Sequence, residues 1–256
     1  MAAAAGESKA TDRPLKLLSY NIRHAEGADD VLGLERIANI IRASGADVVA
    51  LQEVDRYYSQ RSGCLDQAQQ LARILKMRYV YGANLDLAPG ECPQSERQYG
   101  TAILSRYSIL ESRNTLLPRP EGGEQRGLLE ALIQVRGVGV RVFNTHLQHN
   151  SQVERTAQVQ VIMDRMAETD EPAVLMGDLN ARPNAPELAP LYASLKDAWV
   201  EAGEGPGYTI SSTNPYARID YVFVSRDIGV TSAEVLDSAY VAAASDHLPV
   251  AAVGRR

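Results

Sequence analysis

Six times in this chain an apolar run adjoins residues able to bind a cation, move a proton or hold a phosphate. Leu17-Leu18-Ser19-Tyr20 leads into Asn21, and Val48-Val49-Ala50-Leu51 into Gln52-Glu53. Val140-Arg141-Val142-Phe143 precedes Asn144-Thr145-His146, and Val174-Leu175-Met176 precedes Gly177-Asp178-Leu179-Asn180. Arg218-Ile219-Asp220-Tyr221 opens another run, and Ser245-Asp246-His247 stands just before the last. An Asn or Asp after a strand is ordinarily a turn former or helix cap. Glu53 alone would be a solvated loop acid, and His146 alone a satisfied strand-end histidine. Six such junctions exceed what turns require, and layered α/β folds carry ligand and catalytic residues at strand ends and in adjoining loops.

The residue types agree with one another. Asn21, Glu53, Asp178, Asn180 and Asp246 offer hard oxygen donors, which suit Mg²⁺ or Mn²⁺ rather than zinc. The four histidines, His24, His146, His149 and His247, form no closely spaced zinc motif. No Gly-x-Ser-x-Gly elbow marks a serine hydrolase, and no P-loop is present.

The elements that must position these residues follow from period and punctuation. Leu15–Ile22 reads as a buried strand and Leu32–Ala43 as a helix, with Gly45 at its C-cap. Asp47–Glu53 begins a second strand. Gln67–Lys76 reads as helical, Tyr79–Tyr81 as a short strand and Gly100–Leu104 as another. Leu128–Val135 and Val138–Asn144 form a hairpin around Arg136-Gly137. Gln152–Ala167 is an amphipathic helix, Ala173–Met176 a buried strand and Leu188–Tyr192 helical. Ile219–Val224, Val230–Val235 and Leu248–Val253 complete the strands. No repeat or linker divides this succession. It predicts a flexible segment over residues 1–14 and a single α/β domain over 15–256.

Bulk properties narrow the substrate. The chain has 256 residues, a formal net charge of −6 and no Lys/Arg-rich run. Duplex DNA is usually gripped by a basic face, so the balance favours a small substrate. Cys64 and Cys92 are too few for a disulfide framework. Two free thiols in a reducing compartment are the expectation, with a single loop-to-loop disulfide in an exported protein as the alternative. Met1–Pro14 lacks the apolar stretch of a signal peptide, and no segment approaches the ~20 apolar residues of a membrane span. As it stands the chain is expected to be cytoplasmic; removal of an export signal would make it an exported protein. Neither oligomeric state nor a protein partner is inferable.

At these residues the sequence resembles the endonuclease/exonuclease/phosphatase superfamily, the group of deoxyribonuclease I, exonuclease III-type abasic endonucleases, inositol-phosphate 5-phosphatases and neutral sphingomyelinases. The resemblance runs from about Leu15 to Val253. It rests on Tyr20-Asn21, Leu51-Gln52-Glu53, Tyr99-Gly100-Thr101-Ala102-Ile103-Leu104-Ser105, Asn144-Thr145-His146-Leu147, Gly177-Asp178-Leu179-Asn180, Arg218-Ile219-Asp220-Tyr221 and Ser245-Asp246-His247-Leu248-Pro249, in that order. It implies a deoxyribonuclease I-like four-layer α/β sandwich: two mainly antiparallel sheets face to face, with helices outside. It further implies that Glu53 is the principal Mg²⁺ ligand, with Asn21 and Asp246 completing the metal site directly or through water. Asp178 would orient or deprotonate the attacking water, and Asn180 would help place it. Asp220 would hydrogen-bond His247, and His146 would contact a phosphate oxygen. Phosphoester hydrolysis needs an activated water and neutralised charge, which a carboxylate, a metal and an imidazolium supply. An Asp beside a His raises its pKa, as a phosphate-side cation requires.

Several nucleases of the superfamily carry an acid where this chain has Arg23, which puts a second metal in doubt. Arg23 either holds a substrate phosphate or is a surface arginine. Arg126 and Asn144 are further phosphate candidates; Arg56, Arg61 and Arg97 are additional basic groups, and Arg155 is expected to brace a helix. Tyr99 and Tyr216 either pack on a leaving group or belong to aromatic packing. The expected activity is Mg²⁺-dependent hydrolysis of a phosphodiester or phosphomonoester in a small molecule or lipid headgroup. A nuclease acting on DNA or RNA is the alternative, and a non-catalytic binding module the third reading. Loops at Leu85–Gln98, Arg113–Gln125 and Gly203–Tyr216 are expected to set specificity.

Overall fold

Burial at period two and at period 3.6 sorts the chain into strands and helices over residues 14–120 and 122–255, which the computed structural model describes. The expected flexible segment over residues 1–14 lies outside the described residues except for Pro14. The first half contains β1 (Leu15–Asn21), α1 (Leu34–Ser44), β2 (Val48–Arg56), α2 (Gln67–Leu75), β3 (Arg78–Asp86), β4 (Gln98–Ser105) and β5 (Ser108–Leu116). There follow β6 (Gly127–Val135), β7 (Val138–His146), α3 (Gln152–Ala167), β8 (Ala173–Asp178), α4 (Ala189–Ser194), β9 (Lys196–Asp197) and α5 (Ala198–Ala202). The chain closes with β10 (Asp220–Val224), β11 (Gly229–Val235), α6 (Ala239–Ala242) and β12 (Val250–Arg255). Gly45 ends α1 at φ +66°, as its position predicts. Asp66 and Ser151 cap α2 and α3 by accepting from the amides of Gln69 and Glu154.

One sheet has the order β11-β12-β1-β2-β4-β3 and the other β5-β6-β7-β8-β10-β9. β1–β2 and β7–β8 run parallel across the crossover helices α1 and α3, and the other neighbours are antiparallel. Alternate residues of each central strand enter different apolar layers. Leu17, Val48, Ala50, Val142, Val174, Met176 and Val222 pack between the sheets. Leu18, Tyr20, Val49 and Leu51 pack under Ile37, Ile41 and Leu71 of the helices on one outer face. Phe143, Leu175, Tyr221 and Phe223 do the same under Val159 and Ile162 on the other. The result is the four-layer α/β sandwich that the resemblance implies. Each Val, Leu, Ile, Phe or Met among them, fully buried, contributes about 1.5–3 kcal/mol of transfer free energy.

Two expectations are corrected. Arg113–Leu116 belongs to β5 rather than to a loop. This edge strand is exposed along most of its length, so it lacks the alternation that announces a half-buried strand. Cys64 and Cys92 are not free thiols but a disulfide, with Cα atoms 5.6 Å apart. The sheet order explains the pairing. β2 and β3 flank β4 and both run antiparallel to it, so the segments leaving their C-terminal ends lie side by side.

Candidate active site

The apolar seam between the sheets ends in polar residues at one edge. On β1 the inward positions Leu17 and Ser19 lead to Asn21; on β2, Val48 and Ala50 lead to Gln52. On β7 the inward series is Val140, Val142, Asn144 and His146, and on β8 it is Val174, Met176 and Asp178. Asp220 holds the corresponding place on β10, two residues before Val222. Strand alternation therefore delivers the polar residues of both sheets to a common space.

Glu53 breaks the alternation by means of a bulge. Leu51 pairs with Ala102 and Val54 with Gly100, which leaves Gln52 and Glu53 opposite one residue of β4. Glu53 adopts φ +55°, a left-handed conformation that is costly for a non-glycine residue. The bulge turns it toward the cluster, where its Oε1 accepts from Asn21 Nδ2 at 3.0 Å. Gly177 serves the other sheet: a Cβ there would lie 2.1 Å from the Thr145 carbonyl oxygen. The close approach of β7 to β8 sets His146 beside Asp178.

Asp178 is the meeting point. Its Oδ2 accepts from Asn21 Nδ2 at 3.1 Å and lies 3.5 Å from His146 Nε2 and 3.6 Å from His247 Nε2. Its Oδ1 accepts from the Asn180 amide at 2.9 Å. Burial, followed by the charge of Asp220, pushes the carboxyl up to about 7 against the pull of His247. Burial opposes charge on His247, but Asp220 and Asp178 outweigh it, and the imidazolium persists to about 10. Asp220 Oδ2 stands 2.9 Å from His247 Nδ1.

His146 is the opposite case. Burial and then the Arg126 guanidinium hold its pKa well below 6.5. Arg126 Nη1 donates to Nδ1 at 2.9 Å, so the neutral ring carries its proton on Nε2, toward Asp178.

The ligating atoms of Asp178, Asp220 and His247 lie within 4.8 Å of one another. With His247 protonated and bonded to Asp220, this trio is a unit for holding and moving protons. Two other carboxylates suit a hard cation better. Glu53 and Asp246 are half-buried; Asn21 donates to Glu53, and Asp246 Oδ1 lies 3.4 Å from Ser245 Oγ. Ser245 Oγ donates its proton to the Asn21 carbonyl at 2.8 Å, which ties the Asp246-His247 segment to the end of β1.

The remaining candidates separate. Asn144 is wholly buried; its Nδ2 donates to the carbonyls of Leu51 and Ala102, and its Oδ1 accepts from Gln52. It joins the two sheets and has no group left for a phosphate. Arg126 is also buried, and its guanidinium is engaged by His146 and Glu124. Asn180, at φ +48°, donates its side-chain amide to the Leu147 carbonyl. Arg23 lies at the site's margin, bonded to the Gly27 carbonyl and 3.5 Å from Glu26. Arg155 braces α3 against Glu187 at 2.8 Å. Arg56 pairs with Asp66, while Arg61 and Arg97 lie over the Tyr58 ring. Tyr99 is buried edge-on to Tyr58, and Tyr216 is exposed. Thr209 escaped the sequence reading: its Oγ1 accepts from the amides of Ile219 and Asp220, and it stands in no motif.

A four-layer sandwich with this cluster at one edge of its sheets is a deoxyribonuclease I-like fold. The family model for the Endonuclease/Exonuclease/phosphatase family matches residues 18–247, and the chain belongs to that family. A 5'-tyrosyl-DNA phosphodiesterase of Caenorhabditis briggsae is 29% identical over 197 residues, covering 74% of this chain and 50% of the relative. The chain thus spans about half the length of that curated relative. An endonuclease/exonuclease/phosphatase from Beutenbergia cavernae superposes with a TM-score of 0.80 at 28% identity, over 95% of this chain and 72% of that one. A mannosyl-6-phosphatase from Bacteroides thetaiotaomicron shares the fold at a TM-score of 0.76 and 22% identity, over 94% of this chain and 100% of that one.

Proposed function

We propose that residues 15–256 form one catalytic domain that hydrolyses phosphoesters with a divalent cation, Mg²⁺ or Mn²⁺, on a small-molecule or lipid-headgroup substrate. The observation that carries this reading is Asp178: a buried carboxylate poised near neutral beside a histidine held protonated. Asp178 takes the proton of the attacking water, and Asn180 helps place that water. His247, kept cationic by Asp220, faces a phosphate oxygen, and neutral His146 offers its Nε2–H to another. Preorganised charge of this kind needs no reorganisation during the reaction. Glu53 and Asp246 would hold the cation with carboxylate oxygens, the donor type Mg²⁺ prefers, and Asn21, whose Nδ2 faces Glu53 and whose Oδ1 accepts from the Arg23 amide, would complete the site through water. When bound, it neutralises charge on the phosphate oxygens.

The net charge of −6 and the absence of basic runs favour a small substrate over duplex nucleic acid. A nuclease is the second reading, supported by the tyrosyl-DNA phosphodiesterase relative. The Cys64–Cys92 disulfide supports an oxidising compartment in place of the cytoplasm. Among the described residues no helix is long and apolar enough to cross a membrane.

The test is turnover of bis-p-nitrophenyl phosphate and a panel of phospho-compounds with Mg²⁺, beside plasmid nicking at low salt. Turnover absent from a Glu53→Ala control supports hydrolysis; none above that control on any substrate refutes it. Efficient nicking with no small-molecule turnover promotes the nuclease.

A further inference from the structure

Gln67, the first residue of α2, is wholly buried, and the proposed hydrolysis makes no use of it. A buried amide side chain is costly unless its oxygen and its nitrogen both find partners. Both do, and both partners belong to the main chain. Oε1 accepts from the Asp55 amide at 3.0 Å, and Nε2 donates to the His24 carbonyl at 2.7 Å.

The sheet explains why a side chain is needed there. β1 and β2 pair as far as Asn21 and Gln52. The chain then leaves β1 through Arg23, His24 and Ala25, at φ +44°, +42° and +62°. β2 continues to Arg56 beside β4, and at Asp55 Gln67 takes the place that β1 has vacated. Gln67 thus stands between two left-handed stretches, the turn after Asn21 and the bulge at Glu53 (φ +55°). Such conformations persist only where their surroundings over-determine them.

The contacts close a ring. The turn held at His24 brings the Arg23 amide to Asn21 Oδ1 at 3.1 Å. That bond directs Nδ2 of the same side chain to Glu53 Oε1 at 3.0 Å and to Asp178 Oδ2 at 3.1 Å. From Glu53 two residues of β2 lead to Asp55 and back to Gln67. Asp55 is anchored a second time, its buried carboxylate accepting from Arg61 Nε and Nη2 at 2.9 and 2.8 Å. We infer that Gln67 is a positioning residue for the cation site: by tying the turn that orients Asn21 to the strand that carries Glu53, it sets how the two meet. The inference rests on the reading of Glu53 as a cation ligand.

Gln67→Met keeps the length of the side chain and removes both bonds. Leu71→Ala, one turn further along α2 and packed in the outer apolar layer, loosens the helix without touching the ring. Magnesium chloride is titrated calorimetrically into the full chain of each, with circular dichroism as the check on folding. Groups that orient metal ligands from behind are worth about 10–100-fold in affinity, so the Mg²⁺ Kd of Gln67→Met should rise on the order of tenfold. That of Leu71→Ala should stay at the wild-type value although its Tm falls. The same rise is expected in Gln67→Asn, whose amide is one methylene too short to reach both partners, so misfolding of Gln67→Met would not end the test. In metal-free protein the side-chain amide resonances of Asn21 should move in the Gln67 variants and hold in Leu71→Ala. The inference is overturned if the Gln67 variants bind Mg²⁺ as the wild type does, or if Leu71→Ala weakens binding equally, as loss of stability alone would. A wild type that binds no Mg²⁺ would refute the cation reading instead, and the Asn21 resonances would then decide by themselves whether Gln67 positions that side chain.

Discussion

Asn21 on β1 and Asp178 on β8 meet at 3.1 Å across the two sheets, 157 positions apart in the chain. The same amide nitrogen reaches Glu53 at 3.0 Å, so one side chain joins the carboxylate proposed for the cation to the one proposed for the water. Asp178→Asn keeps the shape and removes the base, and turnover should fall by on the order of 10²–10⁴. Asn21→Ala removes the donor shared by the two carboxylates, leaving Asp178 its bond from the Asn180 amide. It should reduce turnover and cost about 1.5–3 kcal/mol of stability, the range for a hydrogen bond to a charged group. Steady-state kinetics and thermal unfolding check both, and an Asp178→Asn enzyme with wild-type turnover would remove the residue from the mechanism.

Asp220 and His247 give the protein a stability that depends on pH. The folded pKa of His247, about 10, lies above its ordinary 6.5, so the protonated form is the one favoured by folding. Its contribution is full below 6.5 and is lost as pH rises through about 10. Asp178, raised from 3.8 to about 7, acts at lower pH, which leaves the interval between 7 and 10 to His247. Metal-free protein in chelator should therefore lose Tm from pH 7 to pH 10, and Asp220→Asn should flatten that slope. An equal slope in the variant would detach the effect from this pair.

Much of the site could be read in the sequence because strand alternation is a local rule. Asn21, Asp178 and Asp220 fall where period two places them, and His247 adjoins a strand whose burial is plain from Leu248 onward. What escaped depends on tertiary context. Nothing near Asn144 shows that Gln52 of the other sheet would take its carbonyl oxygen. Arg126 reads as a free cation until β6 and β7 pair and set it against His146. Glu53 joins the cluster because of a bulge at φ +55°, which residue types alone do not announce. β5 carries no alternation, and the cysteine pairing follows from a sheet order that local patterns do not encode.

Glu53 should decide cation binding. A ligand that binds only the folded state stabilises it by about 2.7 kcal/mol at a hundred times its Kd. Saturating Mg²⁺ should therefore raise the Tm of the wild type. Glu53→Gln, which keeps the volume and removes the charge, should abolish that rise and the metal-dependent turnover together. A Glu53→Gln protein that still gains Tm from Mg²⁺ would place the cation elsewhere.

The disulfide should contribute stability through the unfolded chain. Cys64 and Cys92 are 28 positions apart, and closing a loop of that size is worth about 3.6 kcal/mol in the chain-entropy account. Cys64→Ser/Cys92→Ser should therefore lower the urea midpoint by the corresponding amount while the sheets and the cluster remain. The bridge ties the turn after β2 to the segment after β3, outside the two apolar layers that pack the helices, so the folded state loses little when it is cut. A reductant should lower the midpoint of the wild type to that of the variant and leave the variant unmoved. A wild type indifferent to reductant would mean that the two thiols are unpaired in solution, and the case for an oxidising compartment would fall with the bridge.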